Sequence, residues 1–271
     1  PTARYGTAKA LRDELEAFVE GRKNRERQQR EANRKVEEGD KASHRYFELH
    51  REAMDQKLMA RRLEMAQSGL ETPEEKRRVW AAIDCVEQIE REVVEAFASS
   101  ESAYYGALAH VSDKTEARLG LASLYYARFQ EAEKSRNTKD TVYFKNRCLD
   151  FDDGAYTALV SACGQVSLQP ISDIPGAALV VCRYEEHDRR LEANPIPGAA
   201  ADLLLGATIA LDAGSYVLTF TAPGFQETAT PFVVERAGAQ VLEVAVLREE
   251  QVADGFVYIP GGAVRLGGDD A

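Results

Sequence analysis

A change of residue type near Gly164 constrains the fold of this chain more than any other feature of its sequence. Before about residue 162 the chain is rich in Glu, Arg, Lys, Ala and Leu, and Pro73 is the single proline after Pro1. Beyond that point Val, Thr, Gly and Pro become frequent. The first group of residues favours helices and the second favours strands and turns. The sequence therefore predicts an α+β protein with its two classes in separate domains, and a helix end at Gly164.

The helical half contains two long amphipathic segments, residues 42–68 and a segment that begins at the capping sequence Thr72-Pro73-Glu74-Glu75. Their apolar residues recur by steps of three and four, which places them on one helix face. These residues are Tyr46, Leu49, Ala53, Ala60 and Leu63, followed by Ala82, Val86, Ile89, Val93 and Ala96. We expect an antiparallel hairpin that turns at Gly69. Pairing between chains, which would give a homodimer through the long helices, is the alternative.

The segment before this hairpin is highly charged. Residues 21–40 include seven basic and five acidic side chains, and their apolar residues are Ala32 and Val36. Opposite charges four positions apart stabilise a solvated helix, so we interpret residues 22–40 as a charged helical linker. A basic docking strip is the alternative interpretation.

Two shorter helical segments follow, at residues 116–129 and 142–153. Several of their residues match the tetratricopeptide repeat, namely Leu119, Gly120, Tyr125 or Tyr126, Cys148 and Leu149. An insertion near residues 131–140 and Asp153 in place of the final proline depart from the repeat. Residues 41–163 thus resemble a degenerate tetratricopeptide-like helical region. The resemblance implies that these residues serve mainly to pack helices together, and only in second place to form a peptide-binding groove.

The second half is divided into short apolar segments separated by glycine-containing turns. The segments are residues 165–171, 177–184, 207–211, 216–222, 230–236 and 240–247. The turn sequences are Pro175-Gly176, Pro197-Gly198, Asp212-Ala213-Gly214, Pro223-Gly224 and Ala237-Gly238. Tyr216, Leu218 and Phe220 alternate with Val217 and Thr219, as in a strand with one buried face. This pattern predicts a small antiparallel β-sandwich.

One run within these strands resembles a known family. Residues 211–225, LDAGSYVLTFTAPGF, combine a glycine turn, an aromatic residue, a strand and a Pro-Gly-aromatic exit turn. Upstream, Ile174-Pro175-Gly176-Ala177 stands where the PEGA family has its name-giving tetrapeptide. Residues 165–247 are therefore similar to a PEGA domain. The resemblance implies a non-catalytic β module with no site residues to carry over.

Both ends of the chain resemble parts of other domains. Residues 1–21 are similar to the last helix of bacterial serine/threonine protein kinase domains, and residues 252–271 to the start of a formylglycine-generating enzyme, or sulfatase-modifying factor, domain. The kinase-like positions are Pro1, Arg4, Tyr5, Ala8, Leu11, Leu15, Phe18 and Gly21. The other match is GFVYIPGGAVRLGGD at residues 255–269, where Leu266 replaces the usual methionine.

The order of these resemblances implies a function. It is the order found in large multidomain bacterial kinases, so we expect a non-catalytic regulatory region that spaces the two terminal domains and binds proteins through its helices and β-sheet edges. No catalytic, cofactor or metal residue is expected in this chain, and ATP and Mg²⁺ are implied only for the kinase domain of the parent protein. A stand-alone PEGA module that binds an envelope component or a carbohydrate is the alternative.

Composition narrows the classes of partner. The chain has 271 residues, with 34 basic and 45 acidic side chains and a formal charge of −11. Nucleic acids and anionic membranes attract basic surfaces, so neither is an expected partner. No apolar run approaches the ~20 residues that cross a bilayer. We therefore expect a cytoplasmic protein.

The cysteines provide a remote alternative. They lie at positions 85, 148, 163 and 182, without a zinc-ligand spacing. A cysteine-dependent hydrolase would require Cys148 or Cys163 as nucleophile and His110 or His187 as its base. The sequence has no local signature of such an enzyme.

Overall fold

The computed structural model describes residues 7–67, 72–169, 174–199, 203, 206–253, 256 and 258. The chain divides into two compact units, Pro1–Thr157 and Ala158–Ala271. The first, the helical unit, contains long helices, and the second, the β unit, contains the strands. The prediction of an α+β protein with its classes in separate domains is therefore confirmed.

Five α-helices can be given bounds in the described part of the chain. They are α1 (Ala8–Met65), α2 (Pro73–His110), α3 (Thr115–Lys134), α4 (Thr138–Phe151) and the short α5 (Thr157–Val160). Helix α1 has 58 residues and runs without a break from Ala8 through residues 22–40 into the hairpin. At 1.5 Å per residue it is about 87 Å long. Ion pairs at a spacing of four, such as Arg22–Glu26 and Arg34–Glu38, lie along residues 22–40. Ala32 and Val36 are buried, so the second half of this segment packs in the hairpin instead of forming a solvated linker.

Helices α1 and α2 pack within one chain as an antiparallel hairpin. Ser100 donates its hydroxyl to the carbonyl oxygen of Gly39 at 3.0 Å. Farther along, Arg45 pairs with Glu92 at 3.2 Å. Of the apolar residues predicted to face each other, all are buried except Ala82 and Leu63, which are half-buried. The predicted turn at Gly69 lies outside the described residues.

Helices α3 and α4 form a second, shorter hairpin. The side chain of Asn137 accepts a hydrogen bond from the backbone N–H of Asp140 and begins α4. Buried apolar residues of α3, including Leu121, Leu124 and Phe129, face the neighbouring helices. The arrangement matches the predicted pair of short helices.

Seven strands lie in the described residues of the β unit. They are β1 (Gly164–Leu168), β2 (Ala178–His187), β3 (Arg190–Pro195), β4 (Ile209–Leu211), β5 (Gly214–Thr221), β6 (Thr228–Val234) and β7 (Ala239–Leu242). They form a three-stranded sheet in the order β4-β1-β7 and a four-stranded sheet in the order β3-β2-β5-β6. Apolar side chains from both sheets, such as Val166, Leu218 and Phe220, make one core.

The β unit differs from the sequence prediction in the pairing of its smaller sheet and at Gly164. Strands β1 and β7 pair in parallel, so the smaller sheet is mixed and only the larger one is wholly antiparallel. Gly164 begins β1 instead of ending a helix. A Cβ atom at Gly164 would lie 2.4 Å from Cγ1 of Val234, so glycine is required there by close packing in the β unit.

Strand β3 was absent from the prediction. It pairs with β2 through a two-residue turn at Asp188 and Arg189, whose φ angles are +48° and +63°. Positive φ at both residues is the signature of a type I′ turn, which normally carries Asn-Gly or a similar pair. The sequence Asp-Arg is not one of these pairs, so the sequence does not predict this hairpin.

Candidate interaction surfaces

Strand β3 is an edge of the four-stranded sheet, with no further strand paired to it among the described residues, and all six of its residues are exposed. His187 and Arg190 close the hairpin, and the N–H of Ile196 donates to the carbonyl of Val181 at 2.8 Å. Because bonded and non-bonded pairs alternate in an antiparallel ladder, the backbone groups of Leu191 and Ala193 point away from β2. This edge has the hydrogen-bonding groups that an added peptide strand requires.

The opposite edge of this sheet is less suited to pairing. Strand β6 carries Pro231, which lies opposite Val217 of β5 in the register and is exposed. Proline has no backbone N–H, and it is a common means of protecting an edge strand. The two edges therefore differ, and β3 is the better candidate for a partner strand.

The solvent-facing side of the same sheet is largely apolar. Leu179 and Val181 of β2 point into the core, so Val180 points outward, where it is 43% exposed. Val233 of β6 and Leu191 of β3 are 52% and 72% exposed. Apolar residues on both faces are typical of a sheet that another layer covers. This outer face is a second candidate contact surface of the β unit.

An arginine and three aromatic rings join the helices of the helical unit. The guanidinium carbon of Arg147 in α4 lies 5.9, 5.2 and 5.2 Å from the ring centroids of Tyr105, Tyr125 and Phe151. Arg147 also donates to the hydroxyl of Tyr105, and the hydroxyl of Tyr125 donates to Glu101 of α2. Burial, followed by that hydrogen bond, raises the pKa of Tyr125.

These rings fill the side of α4 that faces α2 and α3, so we interpret the cluster as packing between helices. The tetratricopeptide-like positions have the same role, since Cys148 is fully buried and Gly120 contacts Tyr104. The other side of α4 presents Val142, which is 55% exposed. Any contact of α4 with a protein partner would use that exposed side.

The cysteines and histidines singled out in the sequence are not brought together. Burial, with a smaller contribution from Asp152, raises the pKa of the Cys148 thiol to about 12. Cys163 donates to Asp212 at 3.5 Å, and this hydrogen bond raises its pKa as well. His110 ends α2, and His187 lies beside Asp188 at the tip of the β2–β3 hairpin. Catalytic thiols need a lowered pKa, so neither environment favours a nucleophile.

In the described part of the chain, no group of three or more His, Cys, Asp or Glu residues is arranged to hold a metal ion. Likewise, none of the helices described combines the length and the apolarity that a bilayer crossing requires.

The family resemblances fall on the described residues only in part. Leu11, Leu15 and Phe18 of the kinase-like segment are exposed on α1. Pro1, Arg4 and Tyr5 lie outside the described residues, as does most of residues 255–269. Comparison of the chain with protein-family models, curated proteins and solved structures finds no match.

Proposed function

We propose that this chain is a cytoplasmic, non-catalytic regulatory and protein-interaction region of a multidomain bacterial serine/threonine protein kinase. The observation that carries the proposal is the order of the sequence resemblances: kinase end, helical region, PEGA-like module and sulfatase-modifying-factor start. The unbroken helix α1 supports it, because residues 8–21 of the kinase-like segment and the hairpin then belong to one helix.

The β unit would serve as the PEGA-like module of this region. Its support is local: Gly176 and Gly224, both in Pro-Gly sequences, have φ angles of +77° and +78° and stand at turns that flank strands β2 and β5. The open edge at β3 would be its contact with an extended segment of a protein partner.

Reading and expressing the complete natural gene tests the kinase proposal. We expect kinase catalytic motifs upstream of Pro1 and transfer of phosphate from ATP to a protein substrate. Deleting residues 22–163 should leave the kinase active but change its regulation or its choice of substrate. An upstream sequence without those motifs would refute the proposal.

A pair of substitutions tests the role of the sheet edge. Ala193→Pro removes the N–H that points away from β2, whereas Ala193→Val retains it. Proteins that co-purify with the complete protein should be lost with the proline variant and kept with the valine variant. Equal recovery with both variants would mean that partners do not bind by adding a strand to β3.

A further inference from the structure

Helix α2 carries a stripe of side chains that α3 covers only in part. The stripe recurs by steps of four and three, which keeps it on one side of the helix. It consists of Trp80, Ile83, Glu87, Glu90, Val94, Phe97 and Glu101. Tyr125 of α3 contacts its end, with its ring centroid 6.3 Å from that of Phe97. Nearer the start of α2, Trp80 and Val94 are 54% and 66% exposed.

Helix α1 has a matching stripe on the same side. His50 lies 3.1 Å from Glu131, in the last turn of α3, and α3 ends at Lys134. The stripe continues beyond this contact through Met54, Lys57 and Arg61, with Leu58 beside it. Met54 and Leu58 are 57% and 52% exposed. Helix α3 therefore covers one half of this side of the hairpin and stops short of the other half.

The two stripes join into one surface. Nζ of Lys57 lies 2.5 Å from Oε1 of Glu90, which places the α1 and α2 stripes next to each other. We call this surface the distal face. Its members are Met54, Lys57, Leu58, Arg61, Trp80, Ile83, Glu87, Glu90 and Val94. Half-exposed large apolar side chains grouped in this way mark an interaction site.

The shape and charge of the distal face indicate what covers it. Since α3 packs on the other half of the same side, helices are the shape that fits. Helix α1 contributes the basic residues Lys57 and Arg61, and α2 contributes the acidic residues Glu87 and Glu90. When two such hairpins meet face to face about a twofold axis that runs parallel to the helices, α1 of each lies against α2 of the other. The helix that carries the basic residues then faces the helix that carries the acidic ones.

We propose that the distal face is a homodimer interface, in which the hairpins of two copies associate into a four-helix arrangement. Each hairpin stays closed within its own chain, so α1 and α2 need not exchange between copies. The proposal rests on the helical unit alone and stands or falls independently of the kinase proposal.

The distal face contains Trp80, the single tryptophan of the chain, so its fluorescence reports directly on this interface. With increasing concentration, sedimentation equilibrium should show a monomer–dimer equilibrium, and the Trp80 emission should shift to shorter wavelength in parallel. A chain that stays monomeric, or a dimer that leaves the emission unchanged, would overturn the proposal.

A matched pair of substitutions locates the interface. Leu58→Glu places a charge among the apolar residues of the distal face, and we expect dimerisation at least about tenfold weaker because that charge would be buried unpaired. Val142→Glu makes the same kind of change on α4, where the side chain is similarly exposed, and should leave the dimer intact. Circular dichroism verifies that both variants keep their helices. The reverse pattern would contradict the proposal.

A charge exchange tests the pairing of α1 with α2 without altering the apolar residues. Arg61→Glu makes the α1 part less basic, and Glu87→Lys makes the α2 part less acidic, so each variant alone should dimerise less well than the natural chain. Mixed in equal amounts they should form a heterodimer, because both contacts across the interface regain opposite charges. A mixture that associates no better than its components would refute this pairing.

Discussion

At the scale of single residues, the packing of three helices depends on Tyr104. Its ring lies between Gly39 of α1 and Gly120 of α3, and a Cβ atom would lie 2.6 Å and 2.3 Å, respectively, from ring carbons. The Tyr104 hydroxyl donates to Asp40 at 2.7 Å, and burial raises its pKa. Any larger residue at either glycine would have to displace the ring.

Gly120→Ala tests this packing. Alanine normally stabilises a helix relative to glycine by about 0.5–1 kcal/mol. Here we expect a loss of about 1–3 kcal/mol, because the added methyl group overpacks the contact with Tyr104. Gly21→Ala is the control, since no atom lies within 4 Å of its Cβ position, and it should stabilise α1. Urea denaturation measures both, and a stabilising Gly120→Ala would contradict the packing argument.

Two cysteines of the helical unit differ in exposure and should differ in reactivity. Cys148 is fully buried, whereas Cys85 is exposed. In the folded protein Cys85 should react with a thiol reagent at once, and Cys148 only on unfolding.

The buried thiol also makes stability depend on pH. The pKa of Cys148 is raised from its ordinary value of 9.0 to about 12, so the neutral thiol is favoured by folding. Its contribution to stability is complete below pH 9 and is lost as the pH rises towards 12.

The buried tyrosines also affect stability at high pH. Denaturation of the natural chain and of Cys148→Ser at rising pH therefore separates the contribution of the Cys148 thiol to stability from that of the tyrosines. The two proteins should lose stability at different rates between pH 9 and 12. Rapid modification of Cys148 in the native protein at neutral pH would show that the residue is not enclosed.

At the scale of elements, the turn of the β2–β3 hairpin contains residues that do not favour its backbone conformation. Arg189 has a φ of +63°, a conformation that glycine adopts without strain. Arg189→Gly should therefore stabilise the β unit by about 0.5–1 kcal/mol. Arg190→Gly, one position later in β3, should destabilise it by a similar amount, because glycine weakens a strand. Thermal unfolding of both variants supplies the comparison, and equal effects would contradict the turn assignment.

Helix α2 and strand β3 show where prediction from sequence succeeds and where it fails. Long periodic runs such as Val86, Ile89 and Val93 predict α2 well, since their spacing alone places them on one face. Strand β3 has neither a periodic core pattern nor a recognisable turn. The open edge depends on β3 and could not be predicted without it. The cluster of aromatic rings around Arg147 could not be predicted either, because its side chains come from three different helices, α2, α3 and α4.

At the scale of the whole molecule, the two units have separate cores. Leu121 belongs to the helical unit and Leu218 to the β unit, and both are fully buried. We expect Leu121→Ala to destabilise only the helical unit and Leu218→Ala only the β unit, each by about 2–5 kcal/mol. Hydrogen exchange resolved along the sequence measures the two units separately. Equal loss of protection in both units from either substitution would show that they unfold together.

The parallel pairing of β1 with β7 has a mechanical consequence. Of the strands in the described residues, these are the first and the last of the β unit, and they are in register from Gln165 opposite Ala239 to Leu168 opposite Leu242. Tension that pulls the chain apart at the start of β1 and the end of β7 would slide the two strands past each other. All their hydrogen bonds then bear the load together, instead of opening one at a time as in a hairpin. The unit is thus built to resist stretching along the chain.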